Sequence, residues 1–211
     1  MLKRLIFVFA TLLALTILVD VNQAEAEEGH HSLGVQAGEV GLSSDVGNIY
    51  SNALGMGAFF DYAASDFLEF ELSWINSHHT GTNPLNASTL NLQQNAYALA
   101  LQYNIDTYDI FTPYIKGGAE FVTHTQDIVG ANNQTGSYST TGFGLDAAAG
   151  CKVNFTQNLM AGLDLTYHSI FTASVTPTGN FNAVNTIESY FTVMLRFGFT
   201  FGGEKAPSYK N

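Results

Sequence analysis

The stretch YFTVMLRFGFTF, Tyr190 to Phe201, decides the fold. Phe191, Val193, Leu195, Phe197, Phe199 and Phe201 fall on one parity; Thr192, Met194, Arg196, Gly198 and Thr200 fall on the other. Side chains alternate across a strand, so this pattern predicts a strand with two unlike faces. One face is an apolar row, and the other carries a single arginine.

Working outward, the same alternation recurs upstream. Segments are read at 33–42, 53–62, 66–76, 90–105, 111–124, 140–155 and 159–171, which with the opening stretch makes eight. The connections between them run long, short, long, short, long, short, long. The long ones are rich in Ser, Thr, Asn and Gly, as in SHHTGTNPLNAST and TQDIVGANNQTGSYS. A tilted strand needs about 9 to 11 residues to cross a bilayer, and these segments reach that length. Short turns at one end and long loops at the other mark an outer-membrane barrel. The predicted fold is therefore all-β: an eight-stranded antiparallel up-and-down transmembrane β-barrel, with both termini on the periplasmic side.

A membrane strand must keep charge off its lipid face, where a Lys or Arg costs about 2–4 kcal/mol at the midplane. From the second segment to the eighth no charge falls on the apolar parity, apart from Asp66 at the very start of the third. Leu68, Phe70, Leu72 and Trp74 oppose Glu69 and Glu71; Leu163, Leu165 and Tyr167 oppose Asp164 and His168. The first segment is the exception, since Glu39 shares parity with Leu33, Val35 and Ala37. Either a bulge shifts its phase or Glu39 sits at the outer interface. A soluble β-sandwich or a lipocalin-like barrel also alternates, but turns its apolar face inward. The exported start, the aromatic girdle residues (Trp74, Tyr97, Tyr103, Tyr167) and the loop asymmetry favour the membrane barrel.

That exported start reads MLKRLIFVFATLLALTILVD and ends on Ala24-Glu25-Ala26, the features of a cleaved signal peptide. The expected organisation is a signal at 1–26, a barrel over 27–203 and a periplasmic tail at 204–211. Losing residues 1–26 leaves the net charge at −11, because two bases and two acids go together. An acidic exported chain lacks the clustered Lys and Arg that nucleic-acid binding needs. The single cysteine, Cys151, excludes an internal disulfide. No metal-ligand spacing is present, and no cofactor is expected.

Several features together resemble the OmpA/OmpX-like family of eight-stranded outer-membrane barrels. They are the loop rhythm, PYIKGGAEF at 113–121, the Asn-bearing turn before LMAGLDLTY, and the terminal RFGFTF. The resemblance covers essentially the whole mature chain and implies a monomer in the bacterial outer membrane. It also implies outer-membrane lipid around the barrel and a last strand read by the barrel-assembly machinery. Family members without a second domain commonly end on the terminal aromatic; here Gly202 to Asn211 follow Phe201.

An eight-stranded barrel is just wide enough for its own side chains. Glu71, Lys116, Asp164 and Arg196 are expected at similar heights in the lumen. Asp61, Glu69 and Lys152 are expected below them, and Glu120, Asp146 and His168 nearer the loops. Buried charges need partners, so these residues predict an ion-pair network that fills the barrel. The role expected is structural, or surface interaction through the four long loops with an extracellular ligand that the sequence does not name. It is not catalytic. A small gated ion channel is one alternative, with the carboxylate excess favouring cations.

A lipid A deacylase is another alternative. That family's barrel uses a His-x-Ser pair and a Glu near the rim, for which His168, Ser169 and Glu188 are the candidates here. Adjacent His168 and Ser169 point to opposite faces unless a bulge intervenes. His30-His31 and His78-His79, also adjacent, are weak metal ligands for the same reason. The sequons at Asn86 and Asn133 are read as polar loop filler.

Overall fold

The structure, a computed structural model, describes residues 29–43, 49–65, 67–82, 88–105, 111–129, 135–156, 158–178 and 189–202. The signal segment, the tail, Glu188 and the sequon residues Asn86 and Asn133 lie outside the described residues. Eight strands are present: β1 His30–Leu42, β2 Ala53–Ala63, β3 Leu68–Thr82, β4 Thr89–Asn104, β5 Phe111–Val129, β6 Thr135–Asn154, β7 Leu159–Thr178 and β8 Ser189–Gly202. Each pairs antiparallel with its neighbour in sequence, and β8 closes on β1, so the sheet is a closed barrel. Closure leaves the membrane portion without an unpaired edge, the condition for strands in hydrocarbon.

The faces are inside-out relative to a soluble protein. Val35 is 62% exposed, Leu99 60% and Phe143 63%, while Arg196 is fully buried. Apolar side chains on this scale covering the outer wall call for a lipid solvent, which disposes of the sandwich and lipocalin-like alternatives. In the terminal strand Phe191, Phe197, Phe199 and Phe201 are exposed, Val193 and Leu195 partly so, and the opposite parity is buried through Arg196.

The upper limit of the lipid face is drawn by one row of aromatics. Trp74 pairs with Tyr97, Tyr97 with Phe121, and Phe121 with Phe143. Above that row the outward residues turn polar: Asn76, His78 and Thr80 on β3, Asn91 and Gln93 on β4, Thr123, Thr125 and Asp127 on β5. At the other end His31 stacks with Phe60 and Tyr62, with centroids 5.6 and 5.2 Å apart, and lies 5.7 Å from Phe201. Amphipathic rings of this kind belong at the bilayer interfaces.

One expectation is corrected and one pair of alternatives is resolved. The strands β3, β5, β6 and β7 continue beyond the segments read from sequence, to Thr82, Val129, back to Thr135, and to Thr178. On β3 and β5 the outward residues of the upper parts are polar, so pairing there needs no apolar row. The phase-shifting bulge in β1 is absent. Pairing is regular through Glu39 on both sides, to Leu54 and to Val193. Glu39 faces outward and accepts a 2.6 Å hydrogen bond from Asn52 Nδ2.

The short β6–β7 turn explains the Asn-bearing motif. Thr156 Oγ1 accepts from the backbone N–H groups of Asn158 and Leu159, at 3.2 and 3.0 Å. Asn158 Nδ2 then donates to the Thr200 carbonyl at 2.8 Å, which ties the turn to the last strand.

Candidate functional site: the barrel lumen

Alternation sends every second side chain of each strand inward, and the lumen is where the chain's charge is gathered. Arg196 on β8 is its centre. Its Nη1 lies 2.7 Å from Glu71 Oε2 and 3.4 Å from Asp164 Oδ2; Nη2 lies 3.4 Å from Asp61 Oδ1. The guanidinium carbon sits 3.8 Å from the centre of the Phe59 ring, a cation–π contact in a desolvated setting. Gly34 permits this, since a Cβ there would run into the Phe59 ring.

Lys116 on β5 completes the group. Its Nζ is 2.8 Å from Glu71 Oε1 and also pairs with Asp164, which in turn accepts 2.9 Å from Thr166 Oγ1. Asp61 thus joins the Arg196 group and does not sit below it with Glu69, because strand tilt carries neighbouring strands past one another. The second pair is Lys152 with Glu69, at 2.6 Å to each carboxylate oxygen. Gln102 and Asn104 donate to the same carboxylate at 3.2 and 2.8 Å. The Glu69 carboxylate there is held by one base and two amides, while Gln102 Oε1 stays without a hydrogen-bond partner.

Glu120, Asp146 and His168 form a third group. Glu120 Oε2 accepts 2.6 Å from the Tyr190 hydroxyl and lies 3.0 Å from His168 Nδ1. His168 Nε2 is 3.3 Å from Thr192 Oγ1, and its ring stacks on Tyr190 with centroids 4.0 Å apart. Asp146 pairs by backbone with His168 across β6 and β7.

His168 is therefore committed inward, among Glu120, Thr192 and Tyr190, while Ser169 is partly exposed on the opposite face. A register shift does occur in the β6–β7 pair, between Phe143 and Gly144, but Ser169 still pairs regularly with Leu145 below it. The two candidate deacylase groups do not converge. The histidine neighbours also diverge: His79 is buried, with its ring nitrogens 3.1 Å from Ser77 Oγ and 3.0 Å from the Ser51 carbonyl, whereas His78 is exposed.

Sequence reasoning missed the upper lumen. Val40, Leu42, Leu90, Leu92, Val122, Ile128, Ile170 and Met194 make a buried apolar cluster there, with Tyr50, Tyr138 and Tyr190. The signal was available: towards the long-loop ends the inward parity changes from charged to aliphatic. Tyr50, outside the strands, bridges to Gly81 and accepts a hydrogen bond from Gln126. Burial lifts its phenol to about 12, with the Gln126 contact opposing.

The outer membrane protein beta-barrel domain family matches over residues 9–197. Among solved structures, OprG of Pseudomonas aeruginosa aligns with TM-score 0.63 and 18% identity, over 85% of this chain and 99% of that one. The attachment invasion locus protein Ail of Yersinia pestis aligns at 0.56 and 15%, over 82% and 99%. Ail in complex with the heparin analogue sucrose octasulfate aligns at 0.52 and 16%, over 82% and 99%. No curated protein sequence matches. An inside-out closed barrel of eight strands and a family match over most of the chain lead to one conclusion: this protein belongs to the outer membrane protein beta-barrel domain family and resides in the bacterial outer membrane.

Proposed function

We propose that the protein is a monomeric, non-conducting platform, anchored in outer-membrane lipid, whose extracellular strand extensions and loops serve structural or surface-interaction roles. The observation that carries this is the double filling of the lumen. The buried ion pairs around Arg196 and Lys152 occupy one level, and the aliphatic cluster from Val40 to Met194 occupies the level above. An ion crossing would have to break the first and then shed its water against the second. Open aqueous channels belong to barrels of about 16–18 strands. Catalysis is not part of this reading, because His168 is engaged with Glu120 and Thr192.

Surface interaction is the business of the loop side, as in barrels generally. Ail's complex with a heparin analogue offers one comparison, but the charge here points elsewhere. Between residues 27 and 203 the only Lys and Arg are Lys116, Lys152 and Arg196. All three turn inward, so no fixed positive charge is left to receive a polyanion.

Planar-bilayer recording of the mature barrel tests the platform reading. The expected result is no steady current from the wild-type chain or from Met194→Ala. Discrete openings in the wild type would overturn it and make the lumen a path.

A further inference from the structure

The buried lumen holds six carboxylates, Asp61, Glu69, Glu71, Glu120, Asp146 and Asp164, against the three bases Lys116, Lys152 and Arg196. The bases are taken up by Glu71, Asp164, Asp61 and Glu69. Glu120 and Asp146 remain. Glu120 directs Oε2 to Tyr190 and His168, yet its Oε1 has no hydrogen-bond partner; Asp146 has none on either oxygen. Asp146 is 7% exposed and Glu120 2%. Groups so deeply buried and so poorly paired are rare and call for an occupant.

Both carboxylates line one small cavity. Glu71, Lys116, Asp164, His168, Thr166 and Thr192 also line it, with the apolar Met194 and Ile75. The space follows from sequence: β4 presents Ala96, Ala98 and Ala100 inward in succession, where larger side chains would have filled the barrel. The centre of a water-sized sphere can sweep ≈ 20 Å³ there, room for about one such occupant.

We propose that this cavity binds one small alkali cation, Na⁺ or K⁺, between the Asp146 carboxylate and Glu120 Oε1. Two hard anionic oxygens with neighbouring hydroxyls suit a hard monovalent ion. Among the described residues no group of three or more His, Cys, Asp or Glu is arranged to hold a metal ion. The cation offsets one negative charge at the two carboxylates that no Lys or Arg pairs with. Lys116 is already paired with Glu71 and Asp164, which it shares with Arg196, so Lys116 is not free to take its place.

The test is urea unfolding of the mature barrel, refolded into lipid vesicles in NaCl, KCl or N-methyl-D-glucamine chloride. Ionic strength and pH are held fixed, and the pH is alkaline. With Na⁺ or K⁺ at about ten times its dissociation constant, the unfolding equilibrium constant is expected to fall about tenfold relative to the bulky organic cation. Asp146→Asn is expected to abolish that difference. Ala98→Val, which takes up space in the cavity and removes no charged group, is expected to abolish it too, and decides the matter should Asp146→Asn fail to fold. Equal stability in all three salts overturns the proposal; so does a repeat of the series at neutral pH in which stability changes with pH but never with the cation, which would mean a proton neutralises Asp146. A cation effect that survives Ala98→Val also overturns it.

Discussion

Arg196 is a residue whose value lies in what its removal would strand. Among the described residues it is the base that pairs directly with Asp61, and it shares Glu71 and Asp164 with Lys116. Arg196→Ala leaves three buried carboxylates facing one ammonium. Loss of one partner from a buried pair costs about 3–5 kcal/mol, and that is the expected loss of unfolding free energy for the folded barrel in lipid. Lys152→Ala is expected to cost less, because Gln102 and Asn104 still donate to Glu69. Urea titration of the two variants side by side checks the order; a larger loss for Lys152→Ala would contradict the central place given to Arg196.

Each strand carries two requirements along its length, and they were not equally legible. The outward face must be apolar where lipid touches it, so the alternation of β2 to β8 showed in the sequence. Above the row Trp74–Tyr97–Phe121–Phe143 the outer solvent changes to water and that requirement lapses, which is why the upper reaches of β3, β5, β6 and β7 read as loop. The inward residues were legible as a charged set. Who pairs with whom was not, since Asp61 meets Arg196 only through the stagger of strands around the barrel. The boundary makes a prediction at this scale. Leu99→Arg, on the lipid face, is expected to destabilise by about 2–4 kcal/mol. Thr125→Lys, outward on β5 above the aromatic row, is expected to change stability by about 0.5 kcal/mol or less. Similar costs at both sites would mean that the row does not mark the edge of the bilayer.

For the molecule as a whole, the decisive property is the segregation of charge sign. Every Lys and Arg between residues 27 and 203 is inside, while Glu39 and Asp127 are exposed towards the long-loop end. The long connections add Asp45 and Glu188 in sequence and no base. At an ionic strength of about 0.1 M, charges are screened over about 10 Å, so the buried bases lend little to the field outside. The extracellular face is therefore negative at neutral pH. Such a field repels polyanions and draws basic partners in, acting on encounter rates more than on tightness. In detergent at neutral pH and about 0.1 M salt the folded barrel is expected to pass unretained through immobilised heparin. It is expected to be held on a polylysine surface, from which rising salt releases it. Glu39→Gln combined with Asp127→Asn should release it at lower salt, without altering the lumen. Retention on heparin under those conditions would show that uncharged loop residues, not the field, choose the partner.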